Sequence, residues 1–125
     1  MKQYWILLSI AICTLCSYAG AAEPGDAVHG KELYQSLCGS CHSLPYNGTG
    51  PAHEGLFGRK AGGRSDYTYS DALKAANFTW NEATLDAWLA DPEKSVPGQR
   101  MGGGVPAAQD RADLIAYLKA ESTRK

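Results

Sequence analysis

The chain has 125 residues, 44% of them hydrophobic, and its 12 basic residues nearly balance 13 acidic ones for a net charge of −1. That length supports one domain with one modest core. The charge balance excludes a basic nucleic-acid-binding face and a dense lysine ring for steering toward acidic partners.

The first segment reads as a targeting sequence. Lys2 supplies a positive start, Tyr4 to Cys16 is almost unbroken apolar sequence, and Ala19-Gly20-Ala21 offers an A-x-A cleavage site. Residues 1–21 are therefore expected to be a signal peptide and residues 22–125 the mature domain. The apolar stretch is shorter than the roughly 20 residues of a membrane span, with an uncleaved anchor as the alternative. Cys13 and Cys16 lie inside this leader with Ser17 behind them, and they read as inert.

A first helix is expected from Gly25-Asp26, with Asp26 as N-cap, running up to Cys38. Leu33, Tyr34 and Leu37 would form its apolar stripe. It ends in Cys38-Gly39-Ser40-Cys41-His42, and C-x-x-C-H is the attachment pattern of a c-type haem. Two thiols three residues apart fall on one side of a helical turn and can each add to one vinyl group of the same porphyrin. His42 would then sit beneath the ring and offer its imidazole to the iron. C-x-x-C alone also suits a thioredoxin-type redox pair or half of a zinc site. The first would need a strand-rich context that is absent here. The second would need further ligands, for which His29 and His53 remain.

Glycine-rich connections follow, and Gly50, Gly55 and Gly58 are expected where backbone wraps closely around a flat cofactor. A short helix is expected from Ser70, as cap, to about Ala76. The middle helix begins at Thr79-Trp80-Asn81-Glu82, which matches a capping box with Glu82 reaching back to Thr79. Its inner face is Leu85, Trp88 and Leu89, and Pro92 stops it. A last helix carries Leu114, Ile115, Tyr117 and Leu118 at helical spacing. No alternating strand pattern occurs. The expectation is an all-α fold of three main helices plus a short one, with long loops around one haem.

An iron held by His42 has His29, His53 and Met101 as candidate partners in the mature chain. His29 shares the attachment helix and reaches the far face poorly. Met101 lies between Pro97-Gly98 and Gly102-Gly103-Gly104, an odd place for core filler, and is the preferred ligand.

With these residues in view the chain resembles a class I cytochrome c, close to the mitochondrial protein and its bacterial relatives. The match runs through Gly30 and Tyr34, Cys38 to His42, Gly50-Pro51, Gly55-Leu56-Phe57-Gly58-Arg59, Tyr69-Ser70-Asp71-Ala72, Thr79 to Glu82, Pro97-Gly98 with Met101, and Arg111 to Leu118. The resemblance implies that the Pro51 carbonyl accepts a hydrogen bond from His42 Nδ1. It implies that Arg59, Tyr69 and Trp80 hold the haem propionates, although Tyr69 and Trp80 also suit ordinary aromatic core. It implies too that Gly30 and Tyr34 cross the last helix at Leu114 and Tyr117.

Three departures stand out. His53 replaces a haem-packing leucine and is expected to turn outward, with a propionate contact or a pH-dependent potential as alternatives. The loop from His42 to Gly50 is short. Gly102-Gly103-Gly104 replaces bulkier residues and is expected to leave the Met101 loop mobile.

The function so implied is a soluble periplasmic one-electron carrier, monomeric, with one haem c bound through two thioethers. Its partners would be a bc-type complex, a terminal oxidase, or a periplasmic dehydrogenase or reductase, with no nucleic acid and no small-molecule substrate. A haem peroxidase or gas-binding protein, formed if Met101 leaves the iron, is the competing reading. A subunit dedicated to one dehydrogenase is a third.

Overall fold

The computed structural model describes residues 22–124; the expected signal peptide lies outside them. Helix α1 (Ala27–Leu33) continues directly into a π-wound turn, Tyr34–Cys38. It is followed by α2 (Asp71–Ala75), α3 (Glu82–Ala90), α4 (Pro92–Ser95) and α5 (Ala108–Thr123). The extended pairing among the described residues is one isolated antiparallel bridge, Lys60 to Thr79. No helix among them is long and apolar enough to cross a membrane.

Asp26 caps α1 as expected, its carboxylate accepting from the backbone N–H groups of Val28 and His29. The continuation departs from a regular helix. The Gly39 N–H donates to the Tyr34 carbonyl five residues back, at 2.9 Å, which widens the turn. The anticipated stripe breaks as a result: Tyr34 is buried and Leu33 partly so, whereas Leu37 faces solvent at 55% exposure.

Ser70 caps α2, accepting from the Leu73 N–H at 3.1 Å. The cap of α3 differs from the one read in the sequence. Asn81 is the N-cap and Thr84 completes the box, with two backbone-to-side-chain bonds of 2.9 Å each. Thr79 and Trp80 are engaged elsewhere. The Trp80 N–H donates to the Arg59 carbonyl at 2.9 Å, and the Gly58 N–H donates to the Trp80 carbonyl at 2.8 Å. Pro92 lies just past the end of α3 but also opens α4, an element the sequence reading did not contain. Asp91 caps it by accepting from the Lys94 N–H at 3.0 Å, and proline at the first helical position loses no bond.

Leu85, Trp88 and Leu89 of α3 and Leu114, Ile115, Tyr117 and Leu118 of α5 join Tyr34, Leu56, Trp80 and Val96 in one core. Helix α1 crosses α5 at Gly30, where a Cβ would lie 2.0 Å from the Asp113 carbonyl oxygen. The backbone of Asp113 and the Tyr117 side chain lie nearest Gly30, and Leu114 and Tyr117 share the core with Tyr34. Asp113 is only 3% exposed. Its carboxylate accepts from the Asp26 N–H at 2.7 Å, from His29 Nδ1 at 2.7 Å and from Gln109 Nε2 at 3.0 Å. The His29 bond, the Asp26 N–H and Gln109 hold the Asp113 carboxyl below its ordinary range, and the same bond raises the His29 pKa above 6.5.

Gly30→Ala forces a side chain into touching backbones, and we expect a loss of about 2 kcal/mol or more, read as a lower melting temperature. His29→Ala tests the pair. Because the folded state raises the His29 pKa, its contribution is complete below the ordinary value of 6.5 and fades as pH rises through the raised one. Thermal melts are therefore expected to separate parent and variant more at pH 6 than at pH 9.

Candidate functional site

The π-wound end of α1 feeds the two cysteines into a tight turn. The N–H groups of Cys41 and His42 both donate to the Cys38 carbonyl, at 3.1 and 2.8 Å. Cys38 is partly buried and Cys41 is exposed. Burial, reinforced by the neighbouring Cys41, pushes the Cys38 thiol up to about 11. Before haem attachment that burial favours the thiol over the activated thiolate of a redox pair. The zinc alternative also lacks support. Among the described residues, the His, Cys, Asp and Glu side chains close enough to share one ion are His29, Asp110 and Asp113, with no cysteine among them.

His42 is fixed from two sides. Its Nδ1 lies 2.9 Å from the Pro51 carbonyl, which selects the tautomer with a free Nε2. Burial lowers its pKa against the opposing pull of that hydrogen bond, so the imidazole is held neutral and available as a ligand. Behind the ring stands Gly50, where a Cβ would lie 2.1 Å from His42 Cε1. Gly55 and Gly58 have a different reason for being glycine. Their φ angles of 64° and 80° are left-handed, a conformation that glycine adopts without strain.

Arg59 organises the loop between Pro51 and Gly55. Its Nη1 donates to the Glu54 carbonyl at 2.9 Å and its Nη2 to the Ala52 carbonyl at 3.0 Å. Its Nε is buried and has no partner. An unpaired buried donor costs about 1–3 kcal/mol, so this atom fits an acidic group of a bound cofactor. Burial lowers the Arg59 pKa, with the Tyr69 hydroxyl within electrostatic reach. Tyr69 and Trp80 are both buried. Tyr69 packs edge-on to Tyr67 at 4.9 Å, and Trp80 packs edge-on to Phe78 at 4.9 Å.

Asn47 is a supporting residue that the motif reading passes over. Its Oδ1 accepts from the Ala52 N–H at 2.8 Å and its Nδ2 donates to the Asp66 carbonyl at 3.0 Å. The Asn47-Gly48 pair was the available signal, since it marks a turn.

Met101 is partly buried against the core, and its N–H donates to the Gln99 side chain. The glycine run behind it is anchored at its far end. A Cβ on Gly104 would lie 2.8 Å from the Leu89 carbonyl oxygen, and the Val105 N–H donates to that same oxygen at 2.6 Å. Arg111 Nη1 donates to the carbonyls of Val105 and Pro106 at 3.0 and 2.8 Å, and its Nε pairs with Asp86 at 2.7 Å. Gly104 is thus set by close approach and Gly103 by its φ of 73°, while Gly102 faces open space.

His53 overturns the outward expectation. Its ring stacks on His42 with centroids 4.2 Å apart and planes 21° from parallel. Its Nδ1 lies 3.0 Å from the Tyr34 hydroxyl. Burial, then the charges of His42 and Arg59, lowers its pKa to about 3, so the ring is neutral. The physical reason is Tyr34, a buried hydroxyl that a leucine could not satisfy. His53 therefore belongs to the His42 side of the site and offers no acid–base group opposite it.

The Cytochrome c family model matches residues 27–122. Cytochrome c of Gibberella zeae is 44% identical over 104 residues, covering 80% of this chain and 97% of the relative. Cytochrome c of Tetrahymena pyriformis is 45% identical over 98 residues, covering 77% of this chain and 89% of that protein. Among solved structures, cytochrome cH from Methylobacterium extorquens superposes with a TM-score of 0.73 at 45% identity, over 77% of this chain and 99% of that one. A helical fold without a sheet among the described residues, a C-x-x-C-H turn and these likenesses lead to one conclusion: the chain belongs to the cytochrome c family, with the class I fold, as an electron-transfer protein that carries one covalent haem c.

Proposed function

We propose that this chain is a periplasmic one-electron shuttle whose haem is bound through Cys38 and Cys41 and ligated by His42 and Met101. The observation that carries the reading is the His42 geometry: Nδ1 on the Pro51 carbonyl at 2.9 Å, Nε2 free, and glycine behind the ring. When bound, haem c supplies a ferric–ferrous couple. Pro51 orients the His42 ring and raises its basicity. Met101 offers a thioether, a ligand that favours a positive potential. Arg59, whose buried Nε has no protein partner, would hold a propionate together with Tyr69 and Trp80. The core around Trp88, Leu89 and Leu118 excludes water.

The leader motif of residues 1–21 supports export and cleavage, and covalent haem attachment suits a periplasm-like compartment. The partners consistent with this role are a bc-type complex, a terminal oxidase, or a periplasmic dehydrogenase or reductase, met by the monomer in brief, small contacts. The ligand-binding alternative is disfavoured because His53 lies against His42, leaving no histidine placed for peroxide chemistry on the other face.

Optical spectra of the periplasmically expressed protein, with a pyridine haemochrome assay, test the reading. A c-type spectrum with the far-red band of ferric methionine-ligated haem is expected, and a protein without haem would refute it. Met101→Ala is expected to abolish that band and lower the midpoint potential, with covalent haem retained. Arg59→Gln removes a partly buried positive charge that disfavours the oxidised form, so a redox titration is expected to give a lower potential.

A further inference from the structure

The aromatic groups of the site form a chain that begins on α5 and ends at His42. Tyr117 packs against Tyr34 with ring centroids 5.3 Å apart. Tyr34 meets His53 edge-on at 5.6 Å and contacts its Nδ1 through the hydroxyl at 3.0 Å. His53 then lies face to face with His42 at 4.2 Å. Tyr34 is only 6% exposed, so its hydroxyl and the His53 nitrogen answer each other in a place where either alone would be an unsatisfied polar group.

A stack of this kind acts on the electronic state of the ring it covers. A coordinated imidazole shares the charge of its iron, and that charge is larger in the oxidised state. The face of a neutral aromatic ring is its negative region and attracts positive charge. Leucine, the residue that the family pattern carries at this position, has no such face.

We infer that His53 is a positioning residue that locks the plane of His42 and, by stacking on it, favours the oxidised form and lowers the midpoint potential. The Tyr34 hydroxyl holds the His53 ring in that orientation. The inference rests on His42 as an iron ligand, and it adds a determinant of potential that lies outside the ligand set.

The test is redox titration of the full haem-loaded protein against three variants. His53→Leu is expected to shift the midpoint potential upward. His53→Phe, which keeps an aromatic face, is expected to return most of the way to the parent value. Tyr34→Phe deletes one oxygen atom and frees the His53 ring, so a smaller upward shift is expected. Nuclear magnetic resonance of the ferric protein should then show displaced signals from the His42 ring in Tyr34→Phe and His53→Leu.

A parental potential in His53→Leu, or an equal shift in His53→Leu and His53→Phe, would overturn the inference. Should the leucine variant fail to fold, Tyr34→Phe decides, since parental potential and parental His42 signals there overturn it equally. Failure of the underlying ligation reading looks different. In that case the parent protein itself lacks covalent haem or the far-red band.

Discussion

Contact between the backbones of α1 and α5 at Gly30 is the constraint on which the rest of the molecule depends. Helix α1 has 7 residues, well below the length at which an isolated helix persists in water. It exists because α5 supports it. Asp113 adds direction to that support, since its carboxylate gathers the Asp26 N–H and the His29 ring. With α1 held in place, Tyr34 enters the core and the widened turn that follows presents Cys38, Cys41 and His42 together. A shift of one residue in the crossing would move every one of those groups.

The site is built from polar groups that are matched in an otherwise apolar setting. His42 has Pro51, His53 has Tyr34, and two of the three Arg59 nitrogens have backbone carbonyls. The remaining Arg59 nitrogen is the exception, and the acidic edge of the cofactor fits there. The prosthetic group thus completes both the apolar core and the polar accounting of the chain. That suits a domain too small to build a large core of its own side chains.

Features that depend on neighbouring residues were legible in the residues themselves, whereas distant ones such as the Gly30 crossing and the Pro51 bond to His42 came only through the resemblance. The C-x-x-C-H turn could be read directly because its chemistry demands contiguous residues. Asp26 and Ser70 were legible as caps because each serves an N–H two or three residues away. Thr79 was misread as a cap because its neighbour Trp80 bonds to Arg59, far back in the chain. Leu37 was misread because the turn beneath it winds five residues rather than four. His53 was flagged by its type, yet its direction depends on the Tyr34 hydroxyl 19 residues earlier, which periodicity does not register. Asp91-Pro92 was legible as a stop, but the same pair also serves as a start.

The meeting of α1 with α5 also sets an order of events during biogenesis. The thiols lie near the start of the domain, and the helix that stabilises their surroundings packs on them from its far end. Until then Cys38 has no native burial, and its sulfur is as open to modification as that of Cys41. The long sequence separation between the two helices slows their encounter further, because a large loop must close first. The topology therefore leaves an interval before that packing in which both sulfurs are open to haem attachment, and packing then covers Cys38 in part.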